Sequence, residues 1–483
     1  MNCETCGKEA TIHITEIRRG LSSDRHLCEK CADLLLPLEE SDYADYLDIL
    51  PPRHSTQVSD ESPPTKEELE MTGIHQRVLV VKLDTGEREQ VGPRKGDSFS
   101  PVWSPDSKRL ATCHSIETLQ SLVLVEPGRT WMRRFLHTTF AEPASWSPDG
   151  RRVSFSHPEE GGRIVLVGEA EEGRILRLTP PTSWLDEFLP VWSPLGDRIA
   201  FVSRSMQGPH DETAECTVFT TTPDGEKRLP LFSLSSPLVM RLGWSCDARF
   251  LAALAAPASE GEMEDVLGMP GGTLYLSEEK GTGALSSGLL SPFPPSVGVL
   301  PGNYLSFAWV SGTGKGSRTP DGVKGPGPFS HPMVLAAARL GNEATTAAVL
   351  IHPETGEVST VAEEIVFPAG EVESSHLSAD GRTLVCLRRT HGGRIVLVDV
   401  ETRKVREIEP KGEVAWLGWR PGHDEIAALI RDDRGVRLEM TSPEDVRREI
   451  TTFRREDFFD VPRLALSPDG NSAALEVHAA HKD

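Results

Sequence analysis

Short runs of apolar and polar positions recur along most of the chain, as in "KRLAT" (108–112), "RRVSFS" (151–156), "DRIAFVS" (197–203) and "RTLVCLR" (382–388). Their period of two and their Gly, Pro, Ser and Asp borders predict short strands with one face on a core. Each run follows a Trp or Leu and a tight turn: "PVWSPDS" (101–107), "ASWSPDG" (144–150), "PVWSPLG" (190–196). The turn chemistry is explicit. Ser accepts a hydrogen bond at the entry, Pro presets the first corner, Asp bonds locally, and Gly takes the left-handed position. Each copy is therefore a hairpin of two strands.

Aligned on the Trp, strong copies fall at Trp103, Trp146, Trp192, Trp244 and Trp419, with weaker ones at Trp309, Leu377 and Leu466. The spacings are 43, 46, 52, 65, 68, 42 and 47 residues. A period in the forties with several short strands per unit is the signature of propeller blades. Runs such as "GRIVLVGEA" (162–170) and "GRIVLVDVETRKVREI" (393–408) supply two outer strands per blade. One outer pair, residues 76–91, has no inner pair before it, and the last inner pair, 463–477, has nothing after it. Together they make one blade that closes the ring without an open edge. The expectation is an all-β, eight-bladed β-propeller over residues 75–483, or a seven-bladed one should the copy at Trp309 be something else.

The phrase resembles the WD40-like repeats of the TolB-type propellers, whose blades carry Pro-x-Trp-Ser-Pro-Asp-Gly. The resemblance spans roughly residues 76–477 and implies the fold. Propellers host binding, scaffolding and catalysis alike, so it implies little about chemistry.

Residues 1–36 read differently. "CETCGKEATIHITEIRRGLSSDRHLCEKCA" (3–32) places Cys-x2-Cys, 21 residues, then Cys-x2-Cys. Four thiolates in two knuckles suit tetrahedral structural zinc, held by Cys3, Cys6, Cys28 and Cys31. "TIHITEI" alternates like a strand, "RRGLSSD" like its hairpin turn, and His13 and His26 read as packing residues. The segment resembles the N-terminal zinc module of the bacterial activators of protein-arginine kinase: the Cys-x-x-Cys start, "ATIHIT" (10–15) and the "HLCEKCA" close (26–32). That resemblance implies a role in protein contact or stress response. Residues 37–74 form an acidic linker, net −8 from Glu39 to Glu70, with a disordered composition. Within it Tyr43, Tyr46, Leu47 and Leu50 lie on one face of a short helix, which docks either on the propeller or on a partner. The zinc module is thus expected to ride on a flexible arm.

The net charge of −22 repels phosphate backbones and anionic lipid, so neither nucleic acid nor a membrane surface is an expected partner. The chain has no apolar run long enough to span a bilayer, and its start lacks the basic-then-apolar pattern of a secretory signal. A cytoplasmic location is expected. Cys113, Cys216, Cys246 and Cys386 stand alone in apolar text and read as buried small hydrophobes.

Nucleophile elbows, phosphate-cradling loops and His-Glu-x-x-His helices are missing from the text. The Gly-rich stretch 311–332 and the stretch 257–272 read as loop insertions. His114, His157, His210 and His391 all follow second strands, on one face but too far apart to share a metal. Six residues before the Trp or Leu of five copies stand Asp97, Asp186, Glu371, Glu413 and Asp460. These positions enter the innermost strands and are expected to ring one mouth of the channel, attracting a cation or a basic peptide. The expected function is a non-enzymatic protein-interaction scaffold, its protein partners unidentified. The alternatives are a propeller hydrolase or lyase at the acidic mouth, and a regulatory subunit acting on a kinase or protease through the zinc module.

Overall fold

A computed structural model describes residues 2–5, 7–18, 21–28, 31, 74–116, 119–136, 144–159, 162–179, 185–205, 216–234, 239–255, 272–278, 299–310, 332–340, 345–367, 376–378, 380–388, 393–458 and 463–480. The linker helix of 43–50 and the body of both insertions lie outside these residues.

The repeated phrase folds as its turn chemistry dictates. In the first blade Ser104 Oγ donates to Asp106 Oδ1 at 2.7 Å and accepts from Arg109 N–H at 2.9 Å, while Lys108 N–H reaches Asp106 Oδ1 at 3.1 Å. The same pattern holds at Ser147 with Asp149, Ser245 with Asp247, Ser378 with Asp380 and Ser467 with Asp469. The fourth turn position is left-handed even without glycine, at Ser107 (φ 59°) and Ala248 (φ 57°).

Each turn joins the two inner strands of an antiparallel four-stranded blade. The first blade runs Asp97–Trp103, Leu110–Ile116, Leu119–Val125 and Met132–Leu136, in that order from channel to rim. Seven further blades follow around the ring, and the fold is an eight-bladed β-propeller. The fourth and fifth blades share one long strand, Val299–Val310, which pairs with Gly272–Glu278 through its first half and Met333–Leu340 through its second. The copy at Trp309 is therefore a blade, and the seven-bladed alternative falls. Closure occurs as the leftover strands require. Ile74–Lys82 pairs with Ser472–Ala480 over nine residues, and Arg88–Val91 adds the rim strand.

The core is a ring of inter-blade seams. Eight apolar clusters each draw on two consecutive blades. One of them joins Val78, Val80 and Val91 of the last blade to Trp103, Leu110, Val123 and Val125 of the first. Burial of the second strands departs from the expected alternation. Phe250–Ala255 is buried throughout, and so are the first five residues of Ile199–Ser205. A flanking blade covers each face, as in a doubly covered sheet, so small polar residues such as Thr112 and Ser154 are buried along with Leu110 and Val153. Alternation survives in rim strands, for example Arg228–Leu234.

The tryptophans of the phrase do a second job. Trp103 Nε1 donates to the Ala465 carbonyl, Trp146 to Val102, Trp244 to Val191 and Trp309 to Gly243, at 2.8–3.1 Å. Each acceptor lies on the innermost strand of the preceding blade, one residue before that blade's own Trp or Leu. The indoles are staples from blade to blade.

Candidate metal centre and the channel mouth

The N-terminal hairpin consists of Ile12–Arg18 and Leu21–Leu27, paired antiparallel in a register that sets His13 against His26. Before it, the chain makes a tight turn in which Cys3 N–H donates to the Lys8 carbonyl (2.6 Å) and Gly7 N–H to the Cys3 carbonyl (2.8 Å). Gly7 is left-handed at φ 73°, a conformation glycine adopts without strain. Glu4 N–H donates to the His26 carbonyl (2.9 Å) and Thr11 N–H to that of Leu27 (3.1 Å), holding the turn against the hairpin's end. Cys28 follows directly, and Cys31 N–H donates to its carbonyl at 3.0 Å.

These contacts bring three thiols together. The Sγ atoms of Cys3, Cys28 and Cys31 all lie within 4.8 Å of one another, with Cys3 and Cys31 buried and Cys28 half-buried. Tetrahedral thiolates at the ~2.3 Å bond length of zinc stand about 3.8 Å apart, so the donor set fits a single soft ion. Cys6, the fourth expected ligand, lies outside the described residues. Ala10, Ile14 and Leu27 pack around the cysteines.

His13 and His26 form a hydrogen bond, Nδ1 to Nδ1 at 2.7 Å, with their rings edge to face. Burial, with Arg133 and His26 adding to it, holds His13 down to about 4. The bond requires one ring to donate and the other to accept. They pack against each other, as expected, and their ring nitrogens are not in the thiol group.

The hairpin does not hang free on an arm. Ile12–Arg18 pairs parallel with Met132–Leu136, the rim strand of the first blade, making that sheet six-stranded. Arg133 anchors the joint with only 3% of its side chain exposed. Its Nη1 lies 3.3 Å from Thr15 Oγ1 and 3.4 Å from Asp24 Oδ1, while Nη2 donates to the Glu171 carbonyl at 2.7 Å. Gly173 closes the cradle, since a Cβ there would stand 2.1 Å from Arg133 Nη1 and 2.8 Å from Thr15 Oγ1. The sequence gives no local signal for this. Parallel pairing leaves no turn between partners, and the anchor sits more than a hundred residues from the hairpin.

Three of the five acidic mouth positions are described, and they behave differently. Asp186 is 5% exposed and turns into the seam with the second blade. It accepts from Arg163 Nε and Nη2, both at 2.7 Å, from Arg163 N–H at 3.1 Å, and from Arg204 Nη2 at 2.8 Å. Burial opposes its charge, but the two guanidiniums prevail and hold the carboxyl below the ordinary range. Asp97 accepts from Gln76 N–H at 2.9 Å and lies 3.3 Å from His75 Nδ1. Both acids thus tie the third strand of one blade to the first strand of the next. Glu413 stays 72% exposed, 3.8 Å from Arg431 Nη1. It lines a cleft of about 670 Å³ between the sixth and seventh blades, with Leu387, Arg394 and Glu409. Glu371 and Asp460 lie outside the described residues. The expected ring of available charges is therefore not formed at Asp186, whose oxygens are taken up by blade-to-blade bonds.

His114 and His157 lie in the second strands of the first and second blades. His114 is fully buried and shares a hydrogen bond with Ser98 Oγ at 3.0 Å; burial, then Arg134 and Arg77, push it down to about 2. His157 is buried in the next blade, and His210 and His391 lie outside the described residues. Cys113, Cys216, Cys246 and Cys386 are buried, as their apolar context suggested, with Cys216 and Cys386 in blade seams. Among the described residues, no helix is long and apolar enough to cross a membrane.

Solved structures that the chain is similar to carry several different names. TolB from Acinetobacter baumannii is 15% identical, with 70% of this chain and 64% of that one covered and a TM-score of 0.33. The Pyrococcus horikoshii acylaminoacyl peptidase is 11% identical, with 74% and 53% covered and a TM-score of 0.42. An oligogalacturonate lyase from Vibrio parahaemolyticus is 9% identical, with 85% and 98% covered and a TM-score of 0.44. The chain spans less than two thirds of the length of that TolB and of the peptidase. Residues 68–233 match the TolB beta propeller domain family.

Proposed function

We propose that this chain is a non-enzymatic, cytoplasmic protein-interaction scaffold in which a structural zinc ion, held by Cys3, Cys6, Cys28 and Cys31, sets a small hairpin rigidly on the rim of a propeller. The observation that carries this reading is the convergence of the Cys3, Cys28 and Cys31 sulfurs on a hairpin that continues the first blade's sheet. An all-thiolate site has no open position for substrate, so such an ion folds its module and performs no chemistry. At the expected channel mouth, Asp186 favours the same reading. Asp186 is neutralised by Arg163 and Arg204, and a carboxylate so paired is a poor acid or base at neutral pH.

Two measurements test it together. Metal analysis of the purified chain is expected to give one zinc per chain, lost in the Cys28→Ser, Cys31→Ser double variant. Affinity capture with the intact chain is expected to retain a stoichiometric protein partner that the double variant captures poorly. Equal zinc in both proteins removes the metal from the reading. Turnover of a peptide or oligosaccharide substrate by the intact chain replaces the scaffold with an enzyme.

A further inference from the structure

We propose that Arg133, a residue of the propeller, couples metal occupancy at the thiolate site to docking of the N-terminal hairpin, so that metal loss uncovers the rim strand Met132–Leu136. The inference rests on the zinc reading above and adds a mechanical consequence to it.

The hairpin is too small to hold itself together. Its buried apolar set is Cys3, Ala10, Ile14, Leu27 and Cys31, and two of those five are metal ligands in the proposed site. A unit of this size folds on metal, on a neighbouring surface, or on both. Here the two supports meet at single residues. Thr11 donates its N–H to the Leu27 carbonyl, next to Cys28, and accepts from Met132 N–H at 3.2 Å. One peptide unit thus touches the cysteine-bearing strand, and the next touches the rim.

Arg133 makes the second connection. Its guanidinium is buried between Asp24 and Thr15 of the hairpin and the Glu171 carbonyl of the second blade. Thr15 Oγ1 donates to Asp24 Oδ1 at 2.5 Å and reaches the Gly173 carbonyl at 3.4 Å. When the hairpin leaves, Arg133 loses the carboxylate of Asp24 and the hydroxyl of Thr15. When it docks, Asp24 and Thr15 are fixed on the strands that lead to Cys28 and from Cys3. Free energy that the metal contributes to hairpin order is then shared with docking, and linkage makes the effect reciprocal.

The test uses the full chain. Hydrogen–deuterium exchange across 132–136 is measured with zinc bound and after removal with a chelator, and exchange is expected to rise about tenfold or more on removal. Zinc affinity, by competition with a chromophoric chelator, is measured for Gly173→Ala, Arg133→Met and Asp24→Asn. Gly173→Ala displaces Arg133 from outside the hairpin, and each variant is expected to bind zinc about tenfold more weakly, within the range of ordinary couplings. The exchange experiment needs no variant, so poor folding of one leaves the test intact. Tight zinc binding with rim protection unchanged after chelation overturns the coupling alone, as does wild-type affinity in all three variants. A chain that takes up no zinc overturns the reading beneath it, and the coupling with it.

Discussion

The indole of Trp103 donates to the carbonyl of Ala465 at 2.9 Å, a bond between residues 362 positions apart that ties the first blade to the last. It belongs to the series formed by Trp146, Trp244 and Trp309, but Trp192 Nε1 is buried without an acceptor. This difference separates the bond from the ring's packing. Trp103→Phe removes this bond and is expected to cost about 0.5–1.5 kcal/mol beyond the lost ring area. Trp192→Phe forfeits no such bond and is expected to cost less. Urea unfolding midpoints of the two variants, read against wild type, check the order.

Ring closure predicts how the chain tolerates truncation. Removing residues 1–92 strips Ile74–Lys82 and Arg88–Val91 from Ser472–Ala480 and opens the seam at Trp103. That protein is expected to lose cooperative unfolding. Removing residues 1–70 leaves the closing blade whole, so cooperative unfolding is expected to survive. It also takes Thr15 and Asp24 away from Arg133, so the midpoint is expected to drop. Thermal melts by circular dichroism of both truncations decide the matter. Equal melts for the shorter truncation and wild type count against a docked hairpin.

What was legible in the sequence was what is local. Ser104 and Asp106 complete the turn within five residues, so the phrase announces its hairpin, and the count of phrases announces the ring. The thiol spacing was legible for the same reason. The partner of each Trp was not, because its acceptor sits in another blade and nothing in the Trp's own neighbourhood names it. Asp186 shows the limit most clearly. Its position at the channel entry was readable, but the side chain turns to Arg163 of the preceding blade, and a pattern aligned within one repeat cannot see its neighbour. Period two also misled where strands are covered on both faces, as at Ile199–Ser205.

His114 offers a test by titration. Its folded value is depressed to about 2 from an ordinary 6.5, chiefly by burial, so the folded chain holds the ring neutral. The unfolded chain takes up a proton below about pH 6.5, and this contribution to stability is lost as pH falls from there toward 2. The expected slope is about 1.4 kcal/mol per pH unit below 6. Imidazole shifts in NMR spectra are expected to show His114 not titrating between pH 7 and 4. A midpoint near 6 contradicts the full burial of His114.

Asp186 and Glu413 occupy equivalent places in their repeats and make opposite predictions. Asp186 is the buried, shared carboxylate of Arg163 and Arg204, and Asp186→Asn leaves two half-buried guanidiniums without their counter-charge. Losing charged hydrogen bonds of this kind is expected to cost about 1.5–3 kcal/mol. Glu413 is largely exposed and 3.8 Å from Arg431, so Glu413→Gln is expected to shift stability by less than about 0.5 kcal/mol. The pH dependence carries the same contrast. Because Asp186 is held below its ordinary value, its contribution is complete above about pH 4 and is lost as pH falls through the lowered folded value. The Asp186→Asn protein is therefore expected to lose less stability than wild type between pH 5 and 2, although it starts lower. Denaturant titrations at each pH measure both effects. Equal losses for the two substitutions at pH 7 return Asp186 to the open mouth that its position in the sequence first suggested.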